Sequence, residues 1–253
     1  MSTKVLFHYD AGDSLQKTIA QLGSRGLQVV CCPEGPDEPF HSELADAHSI
    51  WHVLHPITAD DIARAPKLRL IQKIGVGVNT IDLEAAEARG IAVCNMPGTN
   101  SRAVAEMTLL LMLAALRQQP RLDHACRSGQ WRLDQETKEL LGEIGGRTVG
   151  FVGFGAVPTI LAPILECMGA RIIYTATTPK PVDYEFLPLK SLLARSDIVS
   201  LHVPLTSETN MMIDAAHLGL MKAGAVLINT ARGELVDEDA LYAALTGGSL
   251  RAA

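Results

Sequence analysis

The stretch RTVGFVGFGAVPTILAPIL, Arg147 to Leu165, decides the fold. Thr148 to Val152 is a short apolar run of strand-forming character, and Gly153, Phe154 and Gly155 follow it at once. A helix-like segment then leads to a second strand-like run, Ala170 to Thr175. Strand, glycine turn, helix and strand is the context in which G-x-G-x-x-G carries meaning, because glycines let the backbone approach a pyrophosphate resting on a helix N-terminus. Gly153, Gly155, Ala156 and Val157 are the contacts this reading expects. Pro158 stands where the third glycine belongs. A proline in the first helical turn is tolerated, since the N–H it lacks would have had no intrahelical partner. Pro163 lies deeper, where the lost hydrogen bond costs about 3 kcal/mol unless the helix bends, so a kinked or displaced helix is expected there.

In such a unit the second strand ordinarily ends on an acidic residue, about 20 residues beyond the loop, which binds the ribose hydroxyls of NAD. Here RIIYTATTPKP has no Asp or Glu between Cys167 and Val182. A carboxylate would repel a 2'-phosphate, so the neutral turn with Lys180 nearby leans toward NADP(H), with NAD(H) the other reading. Taken alone, the loop leaves open a fold of this type with an empty crevice.

Outward from the loop, strand-like and helix-like runs alternate. KVLFHY, LQVVCC, SIWHVL, LRLIQKIG and IAVCN precede it, separated by DSLQKTIAQLGSRG and DLEAAEARG, each closed by a glycine as a helix end would be. This alternation argues for parallel sheets in an α/β architecture. Turn chemistry in NMPGTNSR marks a boundary: one unit at 1–98, and a second from 99 onward, carrying the loop and the later strands DIVSLHVP and GAVLINT.

Across 253 residues the composition is 47% hydrophobic and 20% charged, enough to bury a sizeable core. A formal charge of −6 without a dense basic block gives no footprint for nucleic acid. The most apolar segment, MTLLLMLAAL from Met107 to Leu116, is too short to span a bilayer and reads as a buried helix. No secretory signal pattern opens the chain, and five cysteines without a CxxC pair fit a reducing compartment, so a cytoplasmic protein is expected. His41, His48, His52 and His55 have no recognised ligand spacing, and no metal is expected.

Four ordered segments carry more. KIGVGVNTIDLEAAEARGIAVCNMPGTNSRAVAEMTLLLMLAALR, TVGFVGFGAV, SDIVSLHVPLTSET and MKAGAVLINTARGELVDEDALYAAL together resemble the D-isomer-specific 2-hydroxyacid dehydrogenases, continuously from about Leu68 to the last residue. The resemblance implies a flavodoxin-like substrate domain at 1–98 and a Rossmann-type, doubly wound cofactor domain at 99–253. It implies reversible hydride transfer between a nicotinamide cofactor and a small 2-keto or 2-hydroxy acid, in a homodimer. It assigns the substrate carboxylate to the backbone of Val76 and Gly77 and to Arg232, the catalytic arginine. A guanidinium suits that role, being permanently charged and able to hold a carboxylate bidentately while polarising the carbonyl. It places His202, Pro204, Thr209, Thr230 and Ala231 along the cofactor crevice. The turn YTATTPKP looks like that of glyoxylate/hydroxypyruvate reductases, which makes Thr177, Thr178 and Lys180 the candidates for the adenosine ribose or its phosphate. Two further catalytic groups of the family, a glutamate and a proton-donating histidine, are expected beyond Ala253, together with the C-terminal part of the cofactor domain. The other reading is a catalytically silent dinucleotide sensor of the same fold.

Overall fold

The structure, a computed structural model, describes residues 2–34 and 38–253. The chain divides into two compact units, Met1–Asn100 and Ser101–Ala253.

The first unit runs β1 (Thr3–His8), α1 (Asp13–Ala20), β2 (Leu27–Cys32), α2 (Glu38–Leu44), β3 (Ser49–His52), α3 (Ala59–Arg64), β4 (Leu70–Lys73), α4 (Leu83–Ala88) and β5 (Ala92–Cys94). Its five strands are all parallel, in the order β2-β1-β3-β4-β5, which is the flavodoxin-like arrangement. Leu6, Ile50 and Ile71 lie in register across the three central strands and are fully buried. Local chemistry starts the helices: Thr58 and Asp61 form a reciprocal capping box on α3, and the Asp82 carboxylate caps α4. After α1 a 3-10 turn, Gln21–Arg25, ends on Gly26 in the left-handed conformation.

The second unit opens with α5 (Ser101–Arg117), α6 (Gln119–Arg127) and α7 (Gln135–Glu139). It continues as β6 (Thr148–Val152), α8 (Ala156–Cys167), β7 (Arg171–Thr175), β8 (Glu185–Phe186), α9 (Leu189–Arg195), β9 (Ile198–Leu201), α10 (Ala215–Leu218), β10 (Ala225–Asn229), α11 (Glu238–Thr246) and β11 (Leu250–Ala252). The six strands are parallel and ordered β11-β10-β9-β6-β7-β8, so the strand order reverses between β6 and β9. This is the doubly wound pattern, which binds ligands outside the carboxyl ends of the strands at the reversal.

Alternation along β6 divides the interior. Val149 and Phe151 join a core with residues of α5 and α8, whereas Val152 faces a second core with residues of α9, α10 and β10. Gly150 lies between them because a Cβ there would stand 2.1 Å from Ser196 Oγ. Burying both faces explains why these strands read as apolar runs. α8 is continuous over its 12 residues with Pro163 inside, exposed on its outer side.

Candidate functional site

The carboxyl ends of β6, β7, β9 and β10 carry almost every site residue expected of the second unit. Gly153 and Gly155 follow β6, Thr177, Thr178 and Lys180 follow β7, His202 and Pro204 follow β9, and Thr230, Ala231 and Arg232 follow β10. Thr209 folds back onto the β9 turn, its hydroxyl donating to the Pro204 carbonyl at 2.7 Å.

The two glycines of the loop answer different demands. Gly153 has φ +91, and an added Cβ would lie 2.5 Å from the His202 carbonyl oxygen, so the protein's own packing excludes any side chain. Gly155 caps α8 in an extended conformation, and an added Cβ would meet nothing within 4 Å. That open space, next to a helix start with no side-chain cap, is the clearance a diphosphate needs. Ala156 and Val157 present the first N–H groups of α8, and Pro158, buried at the third position, offers none. Proline here reduces the number of unpaired donors without obstructing the two that face the loop. The residues present therefore fit a dinucleotide.

Aromatic packing holds this loop to the turn after β7. Phe154 lies 4.7 Å from the Tyr174 ring and 5.7 Å from that of Tyr184. The Tyr174 hydroxyl accepts from the Lys180 N–H at 2.7 Å and donates to the Lys180 carbonyl at 3.3 Å. A buried phenol thus supports the turn from beneath, leaving Thr177, Thr178 and Lys180 exposed above it. Nothing in the residue pattern had singled out Tyr174. A phenol in the buried part of a strand that feeds a candidate turn is the only signal that could have done so.

On the other side of the crevice, Asn229 folds the turn that presents Arg232. Its amide donates to the Arg232 carbonyl at 2.7 Å, and its side-chain oxygen accepts from the Ala231 N–H at 3.0 Å. Arg232 Nη1 donates to the Ala231 carbonyl at 2.7 Å. Thr230 shares a 3.0 Å hydrogen bond with Thr108, a fully buried residue of α5, which ties the start of the turn to the core. His202 shares a 2.8 Å hydrogen bond with Ser200, and burial pushes its imidazole pKa down to about 4. It is neutral near pH 7 and packs 5.6 Å from the Phe151 ring.

In the first unit, Val76 and Gly77 follow β4. The Gly75 carbonyl accepts from the Met96 N–H and the Val76 carbonyl from the Asn95 amide, both at 2.8 Å. With the carbonyls held, the N–H groups of Val76 and Gly77 donate to nothing among the described residues. Successive free amides of this kind suit an anion. Beneath the loop, Lys73 donates to the Val53 carbonyl and His52 shares a 2.8 Å hydrogen bond with Thr80. Burial, with the Lys73 charge second, pushes the His52 pKa down to about 4.

A family model described as D-isomer specific 2-hydroxyacid dehydrogenase, NAD binding domain, matches residues 109–253. D-3-phosphoglycerate dehydrogenase of Mycobacterium tuberculosis is 40% identical over 243 residues, covering 93% of this chain and 45% of that protein. Glyoxylate reductase of Aeropyrum pernix is 39% identical over 228 residues, covering 86% of this chain and 68% of that protein. The chain therefore spans about half the length of the phosphoglycerate dehydrogenases it matches. Among solved structures, NAD-dependent formate dehydrogenase from Staphylococcus aureus in complex with NAD superposes with a TM-score of 0.90 at 28% identity, covering 98% of this chain and 79% of that one.

Proposed function

The chain belongs to the D-isomer-specific 2-hydroxyacid dehydrogenase family, and from that premise we propose that it serves the reduction of a small 2-keto acid by a nicotinamide cofactor. The observation that carries this reading is Arg232, held by Asn229 at the carboxyl end of β10, on the same sheet edge as the Gly153–Gly155 loop. The bound cofactor would supply the hydride. Gly155, Ala156 and Val157 would receive its diphosphate, with Thr177, Thr178 and Lys180 at the adenosine end and His202, Pro204, Thr209, Thr230 and Ala231 along its length. Arg232 would hold the substrate carboxylate and polarise the 2-oxo group, and the first unit's own share in substrate binding would be the Val76 and Gly77 amides. Domain roles follow: the unit bearing Val76 handles substrate, and the one bearing Gly153 handles cofactor, divided near residue 98.

The finer choices rest on local chemistry. With Ala176 immediately after β7 and Lys180 exposed without an ion pair among the described residues, the turn favours NADP(H) over NAD(H). Glyoxylate or hydroxypyruvate is the substrate class in keeping with the likeness of this turn to the reductases. Exposed Met107 and Leu110 on α5, with Ile164 on α8 and Met168 just after it, offer apolar surface suited to a second copy, hence a homodimer. Five free cysteines fit the reducing cytoplasm.

Stopped-flow absorbance of NADPH mixed with the protein and glyoxylate, hydroxypyruvate or a wider panel of 2-keto acids tests the reading. Arg232→Gln should abolish turnover while NADPH binding persists. Binding without turnover on every acid would instead support the silent sensor, especially if the cofactor changed the assembly mass.

A further inference from the structure

The opposite edge of the cofactor sheet holds a second concentration of charge. A cavity of about 510 Å³ opens there, lined by Arg117, Gly142, Glu143, Arg147 and Asp197. Arg147 immediately precedes β6 and Asp197 immediately precedes β9, so the cavity lies at the amino ends of the strands. The whole length of β6 separates it from Gly153, about 16 Å at ~3.3 Å per residue.

Two arginines line it, Arg117 and Arg147, and Arg251, which lines a neighbouring cavity, also approaches Gly142. Arg147 Nη2 and Arg251 Nη1 lie 2.7 and 3.4 Å from the point that a Cβ on Gly142 would occupy. Arg117 Nη1 reaches the Gly142 carbonyl at 3.5 Å. Among the described residues none of the three has an ion-pair partner. Their hydrogen bonds go to main-chain carbonyls, Arg147 Nε to Glu143 at 2.6 Å and Arg251 Nη2 to Leu116 at 2.9 Å. The Nε of Arg251 is buried with no acceptor at all. Of the carboxylates lining the cavity, Asp197 feels the Arg147 charge, but less than its own hydrogen bonds. Asp197 already accepts from the Thr148 N–H at 2.8 Å and from Lys222 Nζ at 2.9 Å, and Glu143 is exposed. Burial, with the Arg147 charge second, pulls the Arg251 pKa down, the direction expected where a guanidinium is partly desolvated beside another cation.

Like charges drawn to one point, one of them with a buried unsatisfied donor, are costly unless an anion completes the site. We propose that Arg117 and Arg147 in this cavity, together with Arg251 beside Gly142, form a second anion site at the amino edge of the cofactor sheet, for a phosphate group. Guanidinium forks match the oxygens of a phosphate bidentately, and the missing Cβ of Gly142 lets the Arg147 guanidinium lie against the main chain there. Occupation would join the end of α5, the loop at 142–147 and β11, so the ligand would stabilise the fold of the second unit.

Thermal unfolding with inorganic phosphate against chloride, at constant ionic strength, gives the test. Phosphate should raise the midpoint in the parent and in Arg232→Gln, which carries its substitution at the other edge of the sheet. Arg147→Met and Arg251→Met should weaken phosphate binding at least about tenfold. Gly142→Ala, whose backbone is outside the left-handed region, should do the same while keeping every charge, and it decides the matter if an arginine variant fails to fold. Glycerol phosphate binding more tightly than inorganic phosphate would assign the site to a phosphomonoester, and equal binding would assign it to the free ion. A phosphate effect that survives Gly142→Ala and Arg147→Met, or that vanishes only in Arg232→Gln, would overturn the proposal.

Discussion

Gly153 sits so close to the main chain at His202 that a Cβ on it would lie 2.5 Å from the carbonyl oxygen and 2.8 Å from the carbonyl carbon. Neither atom can move without disturbing β9, whose register with β6 runs from Val149–Ile198 to Val152–Leu201. The residue is also at φ +91, where a side chain is strained in any surroundings. Gly153→Ala should therefore cost about 2–4 kcal/mol of stability in urea unfolding. Gly155→Ala should cost no more than about 1 kcal/mol, because the added methyl meets open space. Its effect should fall on NADPH affinity, read by nicotinamide fluorescence. Equal stability losses in the two variants would contradict this division of labour.

A second prediction concerns Tyr174. Its hydroxyl bridges the Lys180 N–H and carbonyl from a buried position. Tyr174→Phe keeps the packing on Phe154 and Phe186 but leaves the Lys180 main chain without these partners. The expected loss is about 1–2 kcal/mol of stability, together with a several-fold rise in the NADPH dissociation constant as the turn loosens. Hydrogen exchange at residues 177–181 should rise in step. An unchanged dissociation constant would show that the turn does not meet the cofactor.

How far the sequence could be read depended on the range of the interaction. Periodicity and punctuation exposed the strands, because burial on both faces leaves apolar runs such as Val149–Val152 that end in glycine. The ordered motifs pointed to Arg232, Gly153 and Gly155 as candidates, since each is bound to a local turn shape. What stayed hidden were partners distant in sequence: Thr108 under Thr230, Tyr174 under Lys180, and Arg147 meeting Arg251 over Gly142. No spacing rule joins residues that meet only once a sheet has formed. Pro163 sits inside a helix that stays continuous around it. Its place on the exposed side of α8 lets solvent satisfy the carbonyl it leaves without an N–H.

Cofactor choice gives a third prediction. Ala176 is the first residue after β7, the place at which an acidic side chain would contact the ribose hydroxyls. Ala176→Asp should weaken NADPH binding by about tenfold or more through repulsion of the 2'-phosphate, and improve NADH relative to it. Lys180→Met should weaken NADPH alone. If neither variant changes the ratio of the two affinities, the turn is not the discriminating element.

The last prediction follows from the two buried histidines. His52 and His202 each have a pKa lowered to about 4, chiefly by burial. In the unfolded chain both would titrate near ~6.5. Between these values the unfolded state binds more protons than the folded one, so stability must fall as pH falls through this window. The contribution is fully present above pH ~6.5 and lost as pH approaches about 4, with a slope of up to roughly 1.4 kcal/mol per pH unit for each histidine. Urea unfolding at pH 7.0 and at pH 4.5 measures the difference directly. His202→Gln, whose amide can still pair with Ser200, should lose about 1–3 kcal/mol less than the parent over that interval. His52→Gln, still within reach of Thr80, should behave alike, and the double variant should show the sum, since the two residues lie in different units. Because His202 stays neutral, His202→Gln should also leave the pH profile of any turnover unmoved between pH 6 and 8, whereas a proton-donating role would shift its acidic or basic limb.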